Sequence, residues 1–370
     1  MPPEILFSSI FGELTHNVQI RFDAASEAHK RLFDTVLYDR FLDWDLPTIS
    51  LDFEEIMGKY NITIAAPTIG EDAKEAIIGS EGLQTMRERM VNHALTLPMT
   101  IQTYRKILAL LDSKAIPDEA KKQQLIKLMW GDVMTVVGAV HGKLDMIFLR
   151  ALSNGGVFTF DETNNPEGGV RGTIDYKQPG ENIATVTKNW TQDNLDTVDC
   201  FEDIQAILDA AQDKVVLDKI LCAPALISYI CRSKQMKKMI FGSDKSSSIL
   251  LQRDLNEWMQ SNVFPVCEPI RRQVRIVNGA QVSTYTPWVK ENMVFVPAGK
   301  LGVIKTAYSN NEIKPEPGVA YSNQGRVRVS QWGVGETQGS NGVEFTKAES
   351  ISLPVITEIN GIYTLKTQRS

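Results

Sequence analysis

Cysteine and histidine, the side chains that most often serve as nucleophiles, bases and metal ligands, are both scarce in this chain. The 370 residues include 4 cysteines and 4 histidines. No cysteine pair has Cys-x-x-Cys spacing and no two histidines lie within four residues of each other, so the local signatures of a zinc site are missing. These residues are Cys200, Cys222, Cys231, Cys267, His16, His29, His93 and His141. We therefore predict buried, reduced thiols and no metal site.

Long apolar runs and an excess of positive charge are also missing. No apolar run approaches the roughly 18 residues of a transmembrane helix, and Met1 to Glu4 lack the basic start of a secretory signal. We therefore expect no membrane partner. The net charge is -6, so there is no overall basic footprint for nucleic-acid recognition, although a mildly acidic surface can lie beside packed nucleic acid without adhering to it.

The motifs of phosphate and cofactor binding fail on their spacing. Gly333, Gly335 and Gly339 carry one residue too many for a dinucleotide loop, and the glycines that a phosphate loop would need before Lys245-Ser246 are absent. The sequence therefore predicts no cofactor and no cofactor-binding residues.

Charged residues form pairs and clusters without the pattern of a catalytic site. Glu54 and Glu55 are adjacent, so in a strand they point to opposite faces and make a poor acid–base pair. Two basic clusters lack the interleaved aromatic side chains on which bases stack. They comprise Arg271, Arg272 and Arg275, and Arg232, Lys234, Lys237 and Lys238. We interpret them as inter-subunit ion pairs or solvated faces, with nucleic-acid contact as the alternative, and we predict no catalytic residues.

One long helix is the most distinct element that the sequence does predict, from Pro117 to Leu152. Proline suits a first helical position, and Asn154, Gly155 and Gly156 supply left-handed stop residues. Apolar residues recur every three or four positions between these ends, as on one stripe of a helix. They are Leu125, Met129, Val133, Val136, Val140, Leu144, Ile147 and Ala151. A helix of this length is a structural strut of roughly 50 Å.

The first 98 residues are predicted to form two segments that extend away from the body of the subunit. An arm over 1–47 contains an amphipathic helix from Ala24 to Phe41, and a two-stranded projection follows over 48–98. The alternation of Ile49, Leu51 and Phe53 predicts its first strand, and we expect a short helix from Leu83 to Met90. Such pieces cannot bury their apolar faces within one subunit, so they imply neighbouring copies.

Residues 99–370 are predicted to form the compact part of the subunit. Residues 99–195 hold the long helix and return strands, and residues 196–310 alternate helices and strands in an α/β unit. Residues 311–370 are expected to end in a strand–turn–strand hairpin from Ser350 to Lys366 around Asn360-Gly361.

The order and lengths of these pieces resemble a known fold. The segments that carry the resemblance are Leu51-Asp-Phe-Glu-Glu-Ile, Tyr60-Asn-Ile-Thr-Ile-Ala-Ala, Val294-Phe-Val-Pro-Ala-Gly-Lys-Leu-Gly and Ser350-Ile-Ser-Leu-Pro-Val-Ile. The chain resembles the major capsid proteins of tailed bacteriophages, with the Hong Kong 97-type fold, and among them the lambda-like capsid protein E group. The resemblance implies an α+β capsid fold. Its parts are an N-terminal arm (1–47), an extended β-loop (48–98), a peripheral domain with a spine helix (99–195), an α/β axial domain (196–310), and a return segment with the closing strands of the peripheral domain (311–370).

The function that this resemblance implies is structural. Pentamers and hexamers of the chain would form the icosahedral head shell around double-stranded DNA, without sequence specificity, in a virion assembled in the bacterial host cytoplasm. Scaffolding, portal and decoration proteins are further partners that it implies. Because no long charged helical segment precedes the arm, we expect a separate scaffolding protein.

Two other functions stay open on the sequence. An encapsulin-like bacterial nanocompartment shell would have the same fold and enclose an enzyme. An α/β enzyme would use residues 196–310 with Cys200, Cys222 or Cys231 as its nucleophile, and His141 is the histidine considered as a base for a cysteine.

Overall fold

The structure is a computed structural model that describes residues 36–57, 84–99, 105–106, 109, 118–167, 169–242, 248–278, 281–334 and 343–369. Most of the predicted arm lies outside these residues, including all but the end of its helix. The tip of the projection, with the segment that begins at Tyr60, lies outside them too.

The described elements alternate between helices and short strands along the chain. The helices are α1 (Tyr38–Phe41), α2 (Asp118–Ser153), α3 (Cys200–Ala211), α4 (Pro224–Arg232), α5 (Lys234–Phe241), α6 (Gln252–Ser261) and α7 (Asn310–Ile313). The strands are β1 (Leu42–Trp44), β2 (Asp52–Met57), β3 (Gln84–Arg89), β4 (Val91–Pro98), β5 (Val157–Phe160), β6 (Gly172–Asp175), β7 (Ile183–Thr185), β8 (Leu217–Cys222), β9 (Val266–Pro269), β10 (Val274–Asn278), β11 (Gln281–Tyr285), β12 (Asn292–Pro297), β13 (Gly302–Ala307), β14 (Ala320–Gln324), β15 (Val327–Val334), β16 (Val343–Val355) and β17 (Tyr363–Lys366).

The long helix predicted from Pro117 to Leu152 is confirmed as α2, which has 36 residues. The helix ends at the stop residues that were predicted from the sequence. Gly155 and Gly156 have φ values of +67° and +81°, and the Gly156 N–H donates to the Ala151 carbonyl at 2.9 Å. This is the bond that closes a Schellman motif.

A six-stranded sheet built around β16 lies against the middle of α2. Strand β4 pairs with one edge of β16, and strands β15 and β13 pair with its other edge; all three pairings are antiparallel. Strands β14 and β1 lie outermost, beside β15 and β13 respectively. Apolar residues at three- and four-residue spacing on α2 pack on this sheet. The buried set is Val133, Met134, Val136, Val137 and Val140 from the helix, with Val327, Val329 and Ala348 from the strands.

A second, five-stranded sheet has the order β7-β17-β12-β8-β9. Its strands alternate between two cores, as the two-residue period of a strand requires. Ile220 and Phe295 pack with α3, α4, α5 and α6 on one face, and Leu221 and Val294 pack on the other with the C-terminal half of α2. The sheet therefore lies between the helical layer and the end of the long helix.

The helix predicted from Leu83 to Met90 is wrong, because the segment is the strand β3, which continues into β4. Met86 and Met90 are four residues apart, as on a helix, and both are buried. The backbone of β3 is nevertheless fully paired with β2, from Asp52 opposite Arg89 to Met57 opposite Gln84. Pairing with a distant segment has overridden the local preference.

The hairpin predicted around Asn360-Gly361 is also wrong. β16 and β17 lie in different sheets, since β17 pairs with β12 and β7. A short 3₁₀ turn, Ile359–Gly361, carries the chain from one sheet to the other. The predicted closing strands of 311–370 are thus divided between the two sheets.

Candidate assembly surface

The root of the projection is a two-stranded ribbon formed by β2 and β3. Among the described strands, neither pairs with any other. Met57 and Met86 are buried, so the ribbon rests on the subunit's own core by one face. A lone two-stranded ribbon is marginally stable in water, and this contact anchors its base.

The ribbon turns its two adjacent glutamates to opposite sides, as predicted. Glu54 forms an exposed ion pair with Arg87 on the neighbouring strand, at 3.1 Å. An exposed pair of this kind adds little stability. Glu55 turns towards the body of the subunit, where its Oε2 lies 2.5 Å from Lys305 Nζ.

Lys305 joins three segments at the base of the ribbon. Its ammonium on β13 lies 2.6 Å from Asp45, just after β1, as well as against Glu55 on β2. Burial lowers the pKa of Lys305, but the hydrogen bonds to the two carboxylates outweigh it, so the pKa lies above its ordinary value. The bond to Lys305 also holds the pKa of Asp45 below its ordinary value. The end of the arm, the ribbon and the six-stranded sheet therefore share one ion cluster.

A buried carboxylate holds the start of α1 on α2. Asp145 Oδ1 accepts from the Leu37 and Tyr38 N–H groups at 2.9 and 2.8 Å, and Oδ2 lies 2.8 Å from Arg272 Nε. Burial raises the pKa of Asp145 to about 6, although Arg272 and the two N–H groups act in the opposite direction. The carboxylate thus connects the end of the arm, the long helix and the segment before β10.

His141 lies one turn before Asp145 and belongs to the same contact. Its Nδ1 is 2.5 Å from the Tyr38 hydroxyl oxygen, and the two rings stack at 6.0 Å. The cysteines are buried in the other core, under α3 to α6. The base–nucleophile pair considered for an enzyme is therefore not formed in this structure.

A second ion pair connects α1 to the five-stranded sheet. Arg40 donates two hydrogen bonds to Glu268 on β9, at 2.5 and 2.9 Å, and Lys219 lies 3.5 Å from the same carboxylate. Burial alone would raise the pKa of Glu268, but the two cations hold it below its ordinary value. The two-point geometry fixes the orientation of the arginine as well as its distance.

The four cysteines are buried free thiols, as predicted. Burial raises the pKa of Cys200 and Cys267 to about 12, and it also raises the pKa values of Cys222 and Cys231. A thiol attacks as its thiolate, so these groups are poorly suited to act as nucleophiles.

A thiol reagent tests this reading directly. We expect Ellman's reagent to label none of the 4 cysteines in the native protein within minutes, and all of them after unfolding in guanidinium chloride, because burial blocks access to the thiolate. Absorbance at neutral pH follows the reaction. Rapid labelling of one native cysteine would support the enzyme alternative instead.

His93 is a buried histidine in the sheet, on β4. Its Nε2 lies 3.1 Å from the Ser352 carbonyl oxygen. Burial, with a smaller contribution from the charge of Lys143, lowers the pKa of His93 to about 4. The imidazole is therefore neutral at neutral pH.

Acidification should destabilise the subunit through His93. Its pKa is about 4 when folded and about 6.5 when unfolded, so between these values the unfolded chain binds more protons and stability falls as the pH falls. We expect wild type to lose about 3 kcal/mol relative to His93→Gln between pH 6.5 and 4, as measured by urea unfolding. Glutamine keeps a donor for Ser352. Parallel pH profiles for the two proteins would contradict the assignment.

Apart from Val170 between β5 and β6, the exposed large apolar side chains lie in three regions of the described surface. Leu46, Ile49, Tyr308 and Ile313 lie around the ribbon base, where the Tyr308 N–H donates to the Thr48 carbonyl at 3.0 Å. Val277 and Val282 lie directly opposite each other on β10 and β11. Val216, Met239, Ile249, Leu251 and Val263 lie on the unit formed by the five-stranded sheet and its helices. Exposed apolar groups of this kind mark contact surfaces when they cluster.

The structure divides the first predicted basic cluster and leaves the second on the adjoining helices α4 and α5. Arg272 is largely buried in its ion pair with Asp145, whereas Arg271 and Arg275 are exposed. Arg232 donates to the Gln192 side-chain oxygen at 3.2 Å, and Lys234 and Lys238 are exposed on α5. Of the rejected motifs, Gly333 lies in β15, and Lys245-Ser246, Gly335 and Gly339 lie outside the described residues.

The described residues contain neither a metal-ligand cluster nor a membrane-spanning helix. They bring no group of three or more His, Cys, Asp or Glu side chains into the geometry of a metal site. Within the described helices, none combines the length and apolar composition that a bilayer crossing requires.

Comparison with known proteins shows similarity in structure but not in sequence. No family model and no curated protein matches the chain. The chain is similar to a protein described as a prophage capsid protein of Escherichia coli CFT073, at 14% identity and a TM-score of 0.51, over 90% of this chain and 87% of that one. It is also similar to a chain of the satellite phage P4 procapsid (10%, TM-score 0.43, 94% and 100%) and to an encapsulin of Synechococcus elongatus PCC 7942 (11%, 0.38, 89% and 86%).

Of these three, the likeness to the prophage protein is close enough to show a shared fold. The α+β fold of the Hong Kong 97 type, predicted from the order of the segments, is thereby confirmed. The long helix α2, the ribbon and the two sheets are the parts of that fold that the described residues contain.

Proposed function

We propose that this chain is the major capsid protein of a tailed bacteriophage, a structural subunit that assembles with identical copies into the icosahedral head shell. The observation that carries the proposal is the presence of exposed apolar side chains in three separate regions of a subunit with a capsid fold. A shell subunit has neighbours on several sides, and each contact needs apolar surface to exclude water.

The domain roles follow from this proposal. The extended β-loop of 48–98 reaches across a neighbouring copy beyond its ribbon base, while β4 stays in the subunit's own six-stranded sheet. The region 99–195 around α2 forms the periphery, and the five-stranded sheet with α3 to α6, mostly within 196–310, surrounds the centres of pentamers and hexamers. The arm of 1–47 adds contact area. Strands β7 and β17 join the axial part, because they pair within its sheet.

The proposal assigns the chain a structural role and no catalysis. The shell encloses double-stranded DNA without reading its sequence, which fits a chain whose net charge is -6 and which would not adhere strongly to packed phosphate. Scaffolding, portal and decoration proteins are the further partners we propose, with the virion as final location and the bacterial cytoplasm as the place of assembly.

The contents of purified particles test this function. We expect the full chain, expressed with its phage, to be recovered in closed particles that protect genome-length DNA from nuclease. Negative-stain microscopy and gel electrophoresis of the protected DNA give both readouts. Particles that hold a protein cargo and no DNA would overturn the phage assignment in favour of a nanocompartment.

A further inference from the structure

The two faces of the β2–β3 ribbon are attached to the subunit in different ways. On the outer face, Glu54 forms its exposed ion pair with Arg87 across the ladder, within the ribbon itself. On the inner face, Glu55 lies directly opposite Met86, and Met86 and Met57 are buried. Among the described residues, the inner face therefore holds the ribbon on the subunit.

The apolar part of this attachment does not fix the angle of the ribbon. Methionine side chains are unbranched and adapt to several packings, and apolar burial has no preferred direction. At the root of the ribbon, the Met90 N–H donates to the Leu51 carbonyl at 2.8 Å, and β4 is paired with β16 from there on. The root is thus a fixed axis, and the angle about it depends on a polar contact with defined geometry.

Lys305 supplies that contact. Its Nζ lies 2.5 Å from Glu55 Oε2 and 2.6 Å from Asp45 Oδ2. Lys305 is held in the sheet opposite Leu353, and the Asp45 N–H donates to the Ile304 carbonyl at 3.0 Å. Of the three charged residues, Glu55 is therefore the one that moves with the ribbon.

Two carboxylates share this single ammonium. Removing the partner of a largely buried charge is costly because the charge is left uncompensated. The side chain of Lys305 is only 18% exposed, but Asp45 remains beside it when Glu55 leaves. The two carboxylates also repel each other while both are bound. The cluster can therefore open without leaving Lys305 unpaired.

We infer that Glu55, Lys305 and Asp45 form a reversible latch for the extended β-loop. Glu55 bound to Lys305 holds the ribbon against the six-stranded sheet, and its departure lets the ribbon rotate outwards about Leu51 and Met90. The latch sets the angle at which the loop leaves the subunit, and so the neighbouring surface that the loop can reach. Its use in assembly rests on the proposed shell function, whereas the latch itself is a property of the single subunit.

Glu55→Gln and Asp45→Asn distinguish a latch from a fixed brace, because a latch predicts opposite effects. Glu55→Gln removes the charge that closes the latch, so amide hydrogen exchange in β2 and β3 should become about tenfold faster. Asp45→Asn removes the second partner, so opening would leave Lys305 unpaired, and exchange should become about threefold slower. Mass spectrometry of the full chain, kept below the concentration at which copies assemble, measures both, with β16 as the internal reference.

Glu54→Gln is the matched control. Glu54 is the neighbouring residue on the outer face, and because its exposed ion pair adds little stability, exchange in the ribbon should stay within about twofold of wild type. If Asp45→Asn speeds exchange as Glu55→Gln does, the cluster is a fixed brace and the inference is overturned. Unchanged exchange in either variant overturns it as well. The readout comes from single subunits, so a failure of wild type to assemble would count against the shell function and not against the latch.

Discussion

Replacement of Gly302 by alanine is expected to abolish most of the soluble, folded protein, with a loss of about 3 kcal/mol or more in the free energy of unfolding. A Cβ at this position would lie 2.0 Å from the Val355 carbonyl oxygen and 2.9 Å from the Thr357 nitrogen. Both are backbone atoms and cannot rotate away. Gly302 also pairs with Leu42 on β1, so β13 is confined on both sides. Soluble yield and the urea midpoint measure the effect.

Gly180→Ala is the control for this substitution. Gly180 has no heavy atom within 4 Å of an added Cβ, and its φ lies outside the left-handed region. We expect its stability to stay within about 0.5 kcal/mol of wild type. A Gly302→Ala protein that is equally stable would show that β1, β13 and β16 do not meet as closely as described.

Arg272→Met is expected to destabilise the subunit by about 3 kcal/mol at neutral pH, because it leaves Asp145 buried without its cation. The remaining carboxylate has a folded-state pKa raised above its unfolded value, already to about 6 with Arg272 in place, and losing the cation raises it further. Protonation relieves the unpaired charge. The destabilisation should therefore shrink as the pH falls towards 5, as followed by urea unfolding.

The double variant Asp145→Asn with Arg272→Met tests whether the unpaired charge causes this loss. Asparagine keeps an oxygen for the Leu37 and Tyr38 N–H groups without the charge, so we expect it to recover part of the stability lost in Arg272→Met. A loss in Arg272→Met that does not vary between pH 5 and 8 would indicate lost packing rather than an unpaired carboxylate.

The long helix was predictable because its information is local. Spacing of three and four residues and the glycines at 155 and 156 are all read within one segment, and α2 ends one residue from the predicted end. The return strands predicted within 99–195 begin directly after this helix, since Val157–Phe160 is a strand in the structure.

Elements that depend on distant partners were not predictable in the same way. β3 has a helix-like pair of methionines and becomes a strand because β2 lies beside it. β17 follows a turn sequence typical of hairpins, but β12 and β7 supply its partners, some 70 and 180 residues earlier in the chain. Nothing within either segment encodes these neighbours.

The contacts that hold the arm and the ribbon cannot be read from the sequence for the same reason. Lys305 meets Asp45 and Glu55, and Asp145 meets Arg272, across separations of more than 100 residues. Each residue looks like an ordinary charge in its own segment. The sequence places Arg272 in a basic cluster, and the structure separates it from its neighbours by burying it against Asp145.

Sedimentation velocity of the purified full chain tests most directly whether identical copies complete one another. With rising concentration we predict a fast-sedimenting boundary from closed particles many times heavier than one chain, with little mass between the particle and the small oligomers from which it grows. A single slow boundary with the mass of one chain, at every concentration and salt condition tried, would contradict the account.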